Sequence, residues 1–101
     1  MPQPKKTTVA CTKAFAALGD RYTLQLLSAL AAGDERFCEL QRGMKLNPIT
    51  LTARLKKLEQ LKFVRRVEGT VNRLSVSYRL TKLGREALPI VVQIEKFAQK
   101  L

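Results

Sequence analysis

There is no histidine in this chain of 101 residues, and there are only two cysteines, Cys11 and Cys38. Without histidine, and with scattered carboxylates, no acid–base pair is suggested, so an enzyme is not expected. Two cysteines alone cannot complete a zinc site, and neither a metal nor another cofactor is expected. Nor do two cysteines make a disulfide framework, so a reducing cytoplasm is the default compartment. No apolar run reaches the ~20 residues that cross a bilayer, and no membrane partner is expected. The start, MPQPKKTTVACTK, lacks the long apolar run of a secretory signal. A glycine-rich phosphate loop is missing too: LGDRYT has neither the glycine pattern nor the lysine.

Acidic residues are also scarce. Eight Asp and Glu face nineteen Lys and Arg, a net charge of +11. The excess is local. Residues 1–41 carry five basic and four acidic groups, residues 42–85 twelve and two, and residues 86–101 two and two. One central segment therefore holds nearly the whole field. Such a surface suits phosphate polyanions or anionic lipid. A merely solubilising face usually mixes signs, and this one hardly does, so nucleic acid is the favoured partner.

The length suits one domain with a modest core. Residues 1–7, with two prolines and a lysine pair, read as a flexible N-terminal arm, and residues 8–101 as the folded domain. Thr8 opens a short helix containing Val9, Phe15, Ala16 and Leu18, with Gly19 as a left-handed stop. Asp20 is placed to cap the next helix, where Leu24, Leu27, Leu30 and Ala31 recur at helical spacing and Gly33 closes. DERF makes a polar turn into a third short helix, CELQRGM, with a strand-like entry at Phe37; GMKL turns again. Asn47 then caps a fourth helix whose first turn holds Pro48, where a missing N–H is no loss. Leu46 and Leu51 are spaced for a hydrophobic staple, and Leu51, Leu55 and Leu58 form its buried stripe.

From Val64 the period changes. Leu74, Val76, Tyr78 and Leu80 alternate with polar residues, and VRRVE precedes them, so a β-hairpin with Asn72 and Arg73 at its tip is expected. Thr81 caps a last helix with a stripe of Leu83, Ala87, Ile90, Ile94, Phe97 and Leu101, widened by Leu88, Val91, Val92 and Ala98. Pro89 predicts a bend in it. So apolar a terminal helix calls for a second subunit as cover, the alternative being that it packs only on its own domain.

The predicted fold is mainly α with a small hairpin: helix, helix, short helix, helix, wing, helix. The break at 42–46 makes helices three and four a helix-turn-helix, and the hairpin makes it winged. Opposite its leucines, helix four presents Ile49, Thr52, Ala53, Lys56 and Gln60. A major groove about 12 Å wide admits one helix, and these small and methyl-bearing side chains suit it. Arg42, Asn47, Pro48 and Thr50 at the helix entrance, and Arg54, Lys56 and Lys57 further along, are the other candidate DNA contacts. Arg54 also reads as a structural ion-pair partner. Lys62, Arg65 and Arg66 add general field. Arg73 at the wing tip suits a narrow minor groove, with Asn72 beside it.

In their order, several segments carry a resemblance: Cys11 ahead of ALGDRYTLQLLSAL, then RFCEL, LTARLKKLEQLKFVRR and VSYRLTKLGREALPIV. The last holds a Tyr-x-Leu-Thr-x-Leu-Gly junction with a proline five residues after the glycine. Over about residues 11–95 the chain resembles the HxlR-type winged-helix transcriptional regulators, relatives of the MarR and ArsR types. The resemblance implies a homodimeric bacterial or archaeal regulator of double-stranded DNA that reads a pseudo-palindromic operator. Its dimer would use the terminal helices: Val9 of the first, and Leu83, Ala87, Ile90, Val91, Ile94, Phe97, Ala98 and Leu101 of the last. Some members sense oxidants or electrophiles through an N-terminal cysteine, a place Cys11 matches; Cys38 reads as packing. The chain departs from the family at Asp20-Arg21-Tyr22, where Gly-Lys-Trp is usual, and at Leu61-Lys62-Phe63, where an Asp-Gly turn is usual. At the start of helix four, Asn47, Pro48 and Ile49 replace serine and polar residues, so no target sequence carries over. A winged-helix module that docks protein, or a non-specific DNA binder, are the alternatives.

Overall fold

The computed structural model describes residues 8–68 and 76–101. The arm 1–7 and the hairpin tip with Asn72 and Arg73 lie outside the described residues. Helix α1 spans Val9–Leu18, and its first turn closes when the Cys11 N–H donates to Thr8 Oγ1 (3.1 Å). Gly19 ends it, though not in the left-handed conformation: its φ is −79°. Glycine is needed there for space, because a Cβ would lie 2.5 Å from the Phe15 carbonyl oxygen. Helix α2, Arg21–Ala29, is capped by Asp20, whose Oδ1 accepts from the Tyr22 N–H at 2.9 Å. Its inward face is Thr23, Leu26 and Leu27, continued by Leu30 at the C-cap. Leu24 is only half-buried and Ala31 is exposed, so the stripe is rotated from the one the leucine spacing suggests.

A two-residue strand, β1 (Glu35–Arg36), comes next, one step earlier than the strand-like entry at Phe37. Phe37 itself opens α3, Phe37–Met44, where Glu39 Oε1 accepts from the Arg36 N–H at 3.1 Å. Lys45 adopts φ 54° at the end of α3 and turns the chain. Helix α4, Pro48–Gln60, follows; Asn47 Oδ1 accepts from the Thr50 N–H at 2.8 Å. Leu51, Leu55 and Leu58 are fully buried, and Leu46 packs against the same core. Burying three leucine side chains contributes on the order of 5–9 kcal/mol before the cost of ordering the helix, enough to fix which face of α4 turns inward.

Strands β2 (Val64–Val67) and β3 (Ser77–Leu80) pair antiparallel, with Val64 opposite Leu80 and Val67 opposite Ser77. The wing is a three-stranded sheet in the order β1-β3-β2, because Glu35 and Arg36 pair with Tyr78 and Ser77. Thr81 caps α5 (Lys82–Glu86) by accepting from the Gly84 N–H at 3.1 Å. The expected bend at Pro89 is a full break: α6, Leu88–Ala98, starts anew after Ala87. No helix among the described residues is long and apolar enough to cross a membrane.

Candidate nucleic-acid interface

Helix α4 stands with its leucines in the core and its opposite face in solvent. Asn47, Pro48, Ile49, Thr52, Ala53, Lys56 and Gln60 are all exposed, and Ile49 is 82% exposed. An isoleucine so open at a helix start has little stabilising role in its own domain. Thr50, whose backbone N–H donates to the Asn47 cap, is half-buried. Arg42 is exposed on α3, across the turn from the α4 entrance. With Pro48 lacking an N–H, Thr50 bound to the Asn47 side chain and Leu51 to the Asn47 carbonyl, Ile49 carries the one first-turn N–H of α4 without a partner in the helix, at the positive end of the helix dipole, which favours anions.

The cations divide into two sets. Arg54 is a partner of Asp20, whose Oδ2 accepts from its guanidinium, and Lys57 Nζ lies 3.8 Å from the same oxygen. Arg54 is thus the structural ion-pair partner as well as a candidate contact. Its guanidinium carbon also lies 5.4 Å from the Tyr22 ring centroid, within cation–π range. Arg79 donates to Asp34 from Nε (3.2 Å) and Nη2 (2.7 Å), and Arg66 Nη2 is 3.7 Å from Glu68 Oε1. Lys56 makes no ion pair among the described residues and stands on the outward face of α4.

Between α4 and the wing runs a cleft of about 310 Å³, lined by Phe37, Thr52, Lys56, Glu59, Arg66, Val76 and Tyr78. It brings Thr52 and Lys56 together with Arg66, which sequence reasoning treats as general field only. The Tyr78 hydroxyl has its pKa raised, chiefly by burial; Arg66 pulls it down and Glu59 pushes it up. The signal for this grouping is the β3 register, which sets Tyr78 opposite Arg66.

On the terminal helices a second surface appears. Val9 (76% exposed), Leu83, Ile90, Ile94, Phe97 (60%) and Leu101 are open to solvent, and Ala98 is exposed as well. Ala87 and Val91 point the other way, into the domain's own core at 6% and 5% exposure. Phe15, counted in the sequence among the residues that form the first helix, is 66% exposed, and Val92 is 44% exposed, so both extend the open apolar surface. Only Ala17 of α1 is buried, which leaves that helix with little reason to fold on its domain alone. Cys11 is exposed on α1. Cys38 is exposed too, and does not pack.

Comparison with known proteins agrees with this architecture. The HxlR-like helix-turn-helix family model matches residues 17–101. An HTH-type transcriptional regulator of Mycobacterium tuberculosis is 30% identical over 88 residues, covering 87% of this chain and 56% of that protein. The chain therefore spans about half the length of the curated relatives it matches. Among solved structures, the reduced transcriptional regulator YodB from B. subtilis superposes with a TM-score of 0.82 at 26% identity, over 95% of each chain. The redox regulator HypR in its oxidized form gives 0.83 at 26% identity, over 91% of this chain and 96% of that one. With its winged helix-turn-helix and its match over residues 17–101, the chain belongs to the HxlR-like helix-turn-helix family.

Proposed function

We propose that this chain is a homodimeric, sequence-specific, double-stranded DNA-binding transcriptional regulator of the cytoplasm. The observation that carries the reading is the open face of α4, where Ile49, Thr52, Ala53 and Lys56 lie together in solvent. Methyl groups of Ile49 and Thr52 suit thymine methyls in the major groove, and Lys56 with the helix start suits phosphate. Arg42, Asn47, Pro48 and Thr50 border that face and complete the contact surface, while Arg54 and Lys57, the other candidates on α4, are held by Asp20; Asn72 and Arg73, which the sequence puts at the tip of the hairpin, suit the minor groove. Val9, Leu83, Ile90, Ile94, Phe97, Ala98 and Leu101 form the dimer surface, joined by Phe15. A two-fold dimer matches a pseudo-palindrome, with half-sites about one helical turn, or a multiple of one, apart.

Selection from random duplexes tests this directly. A two-fold motif supports the reading. Enrichment of no motif, with tight binding at low salt, favours a non-specific binder; no binding to any duplex favours a protein-docking module.

A second reading adds thiol sensing. Cys11 is exposed in the first turn of α1, four residues before exposed Phe15 on the same face. If that face joins two subunits, two Cys11 thiols approach one another. YodB from B. subtilis has been solved with quinone bound and after diamide treatment. Diamide treatment followed by a non-reducing gel should give a dimer band that Cys11→Ser abolishes and Cys38→Ser keeps. Loss of the band in Cys38→Ser alone contradicts this reading.

A further inference from the structure

Asp20 does more than cap a helix. Its Oδ1 accepts from the Tyr22 N–H, while its Oδ2 holds Arg54 and lies 3.8 Å from Lys57 Nζ. Helix α4 has three cations, Arg54, Lys56 and Lys57, and Asp20 claims two of them. The side chains are sheltered unequally: Asp20 is 17% exposed, Arg54 35% and Lys57 40%. At 100° per residue, Arg54 and Lys57 sit on the flank of α4 that meets the start of α2. Thr52, Lys56 and Glu59 line the opposite cleft beside the wing. Tyr22 reinforces the α2 side, with the guanidinium carbons of Arg21 and Arg54 at 5.1 and 5.4 Å from its ring centroid.

We infer that Asp20 is a positioning residue for sequence recognition: it fixes the roll of α4 and withholds Arg54 and Lys57 from non-specific phosphate contact. The inference rests on α4 being the DNA-reading helix. A carboxylate beside the backbone of a duplex also repels phosphate, so this flank stays off the strand while the face of Thr52 and Lys56 meets it. The physical cost is some raw affinity, since two cations are neutralised internally. The gain is discrimination, because sequence-independent attraction scales with the phosphates that cations neutralise.

The test is Asp20→Asn in the full chain. Asparagine caps a helix as well as aspartate, so α2 keeps its first turn while the clamp loses its charge. The readout is the slope of log affinity against log salt on a selected operator and on a random duplex. Freed Arg54 and Lys57 should steepen the random-duplex slope by about one to two units, at ~0.9 per phosphate. Affinity for the random duplex should rise several-fold at low salt, and the operator-to-random ratio should fall. Adding Arg54→Gln to Asp20→Asn should make the slope shallower again by about 0.9, the share of one freed cation. An unchanged slope overturns the inference, as does an equal loss of affinity on both duplexes, which is the mark of a merely structural role. If the unaltered protein binds no duplex at all, the DNA reading itself falls and this inference with it. A melting curve of each variant identifies any that fails to fold, and Asp20→Ser, another capping residue without charge, then replaces it with the same expected slope.

Discussion

Gly84 lies hard against the main chain of Phe63: a Cβ on Gly84 would come within 2.2 Å of the Phe63 carbonyl oxygen. That oxygen also accepts from the Thr81 N–H at 3.0 Å, so it cannot move aside without loosening the wing from α5. Gly84→Ala should therefore destabilise the fold by about 2–3 kcal/mol or more, the upper range for overpacking. Urea unfolding measures it; a midpoint equal to that of the unaltered protein contradicts the packing described here.

At the end of α4, Lys62 has φ of 66°, the left-handed region that glycine adopts freely and lysine does not. The chain turns there to let the Phe63 N–H reach the Leu58 carbonyl at 3.0 Å. Lys62→Gly should raise stability by about 1 kcal/mol, because the relieved strain exceeds the entropy glycine gains when unfolded. A thermal melt that moves down instead of up shows that the lysine side chain contributes more than its backbone strain costs.

Thr23 is buried in α2 at 1% exposure, and its hydroxyl has no hydrogen-bond partner among the described residues. Valine has nearly the same shape without the hydroxyl. Thr23→Val should be neutral or stabilising by up to about 1 kcal/mol. Destabilisation by more than that amount in chemical unfolding points to a bond that the hydroxyl makes and valine loses.

The Tyr78 hydroxyl has its pKa raised by burial, with Arg66 lowering it and Glu59 raising it. A pKa higher in the folded state than in the unfolded one means the neutral phenol is favoured by folding. Its contribution is fully present below the unfolded pKa of about 10 and is lost as pH rises through the folded pKa. Stability above pH ~10 should fall more steeply for the unaltered protein than for Tyr78→Phe. Parallel pH profiles contradict the burial described for this ring.

Phe97 is 60% exposed on α6, near the open Ile94 and Leu101. Phe97→Asp should leave the fold intact and shift the protein to monomer in sedimentation, since a charge would be desolvated in any interface formed there. A dimer that persists unchanged places the subunit contact elsewhere.

Local features were legible where chemistry and spacing agree. Asn47-Pro48 marks the start of α4 without ambiguity, and Leu51, Leu55 and Leu58 can lie only on one face. Thr8, Asp20 and Thr81 cap as their side chains suggest. Other features depend on packing that spacing does not carry. In α2 two overlapping apolar stripes exist, and burial in the core selects the one through Thr23, Leu26 and Leu27. In the last helices the expected single stripe is divided: the helix breaks at Ala87, which turns inward with Val91, while Leu83, Ile90, Ile94, Phe97 and Leu101 stay exposed, a division that periodicity does not tell. Strand β1 is two residues long, too short for any period, and exists because β3 offers an edge. The second role of Asp20 joins residues 34 positions apart, a relation that folding creates and no local pattern announces.

The claim that α4 meets a duplex through its open face is tested most directly at Lys56. Affinity for a selected duplex should be measured across a range of salt, for the unaltered protein and for Lys56→Ala. The account predicts weaker binding and a slope of log affinity on log salt shallower by about 0.9 for each phosphate that the side chain neutralises. An unchanged slope with unchanged affinity would place Lys56 away from the DNA and contradict the account.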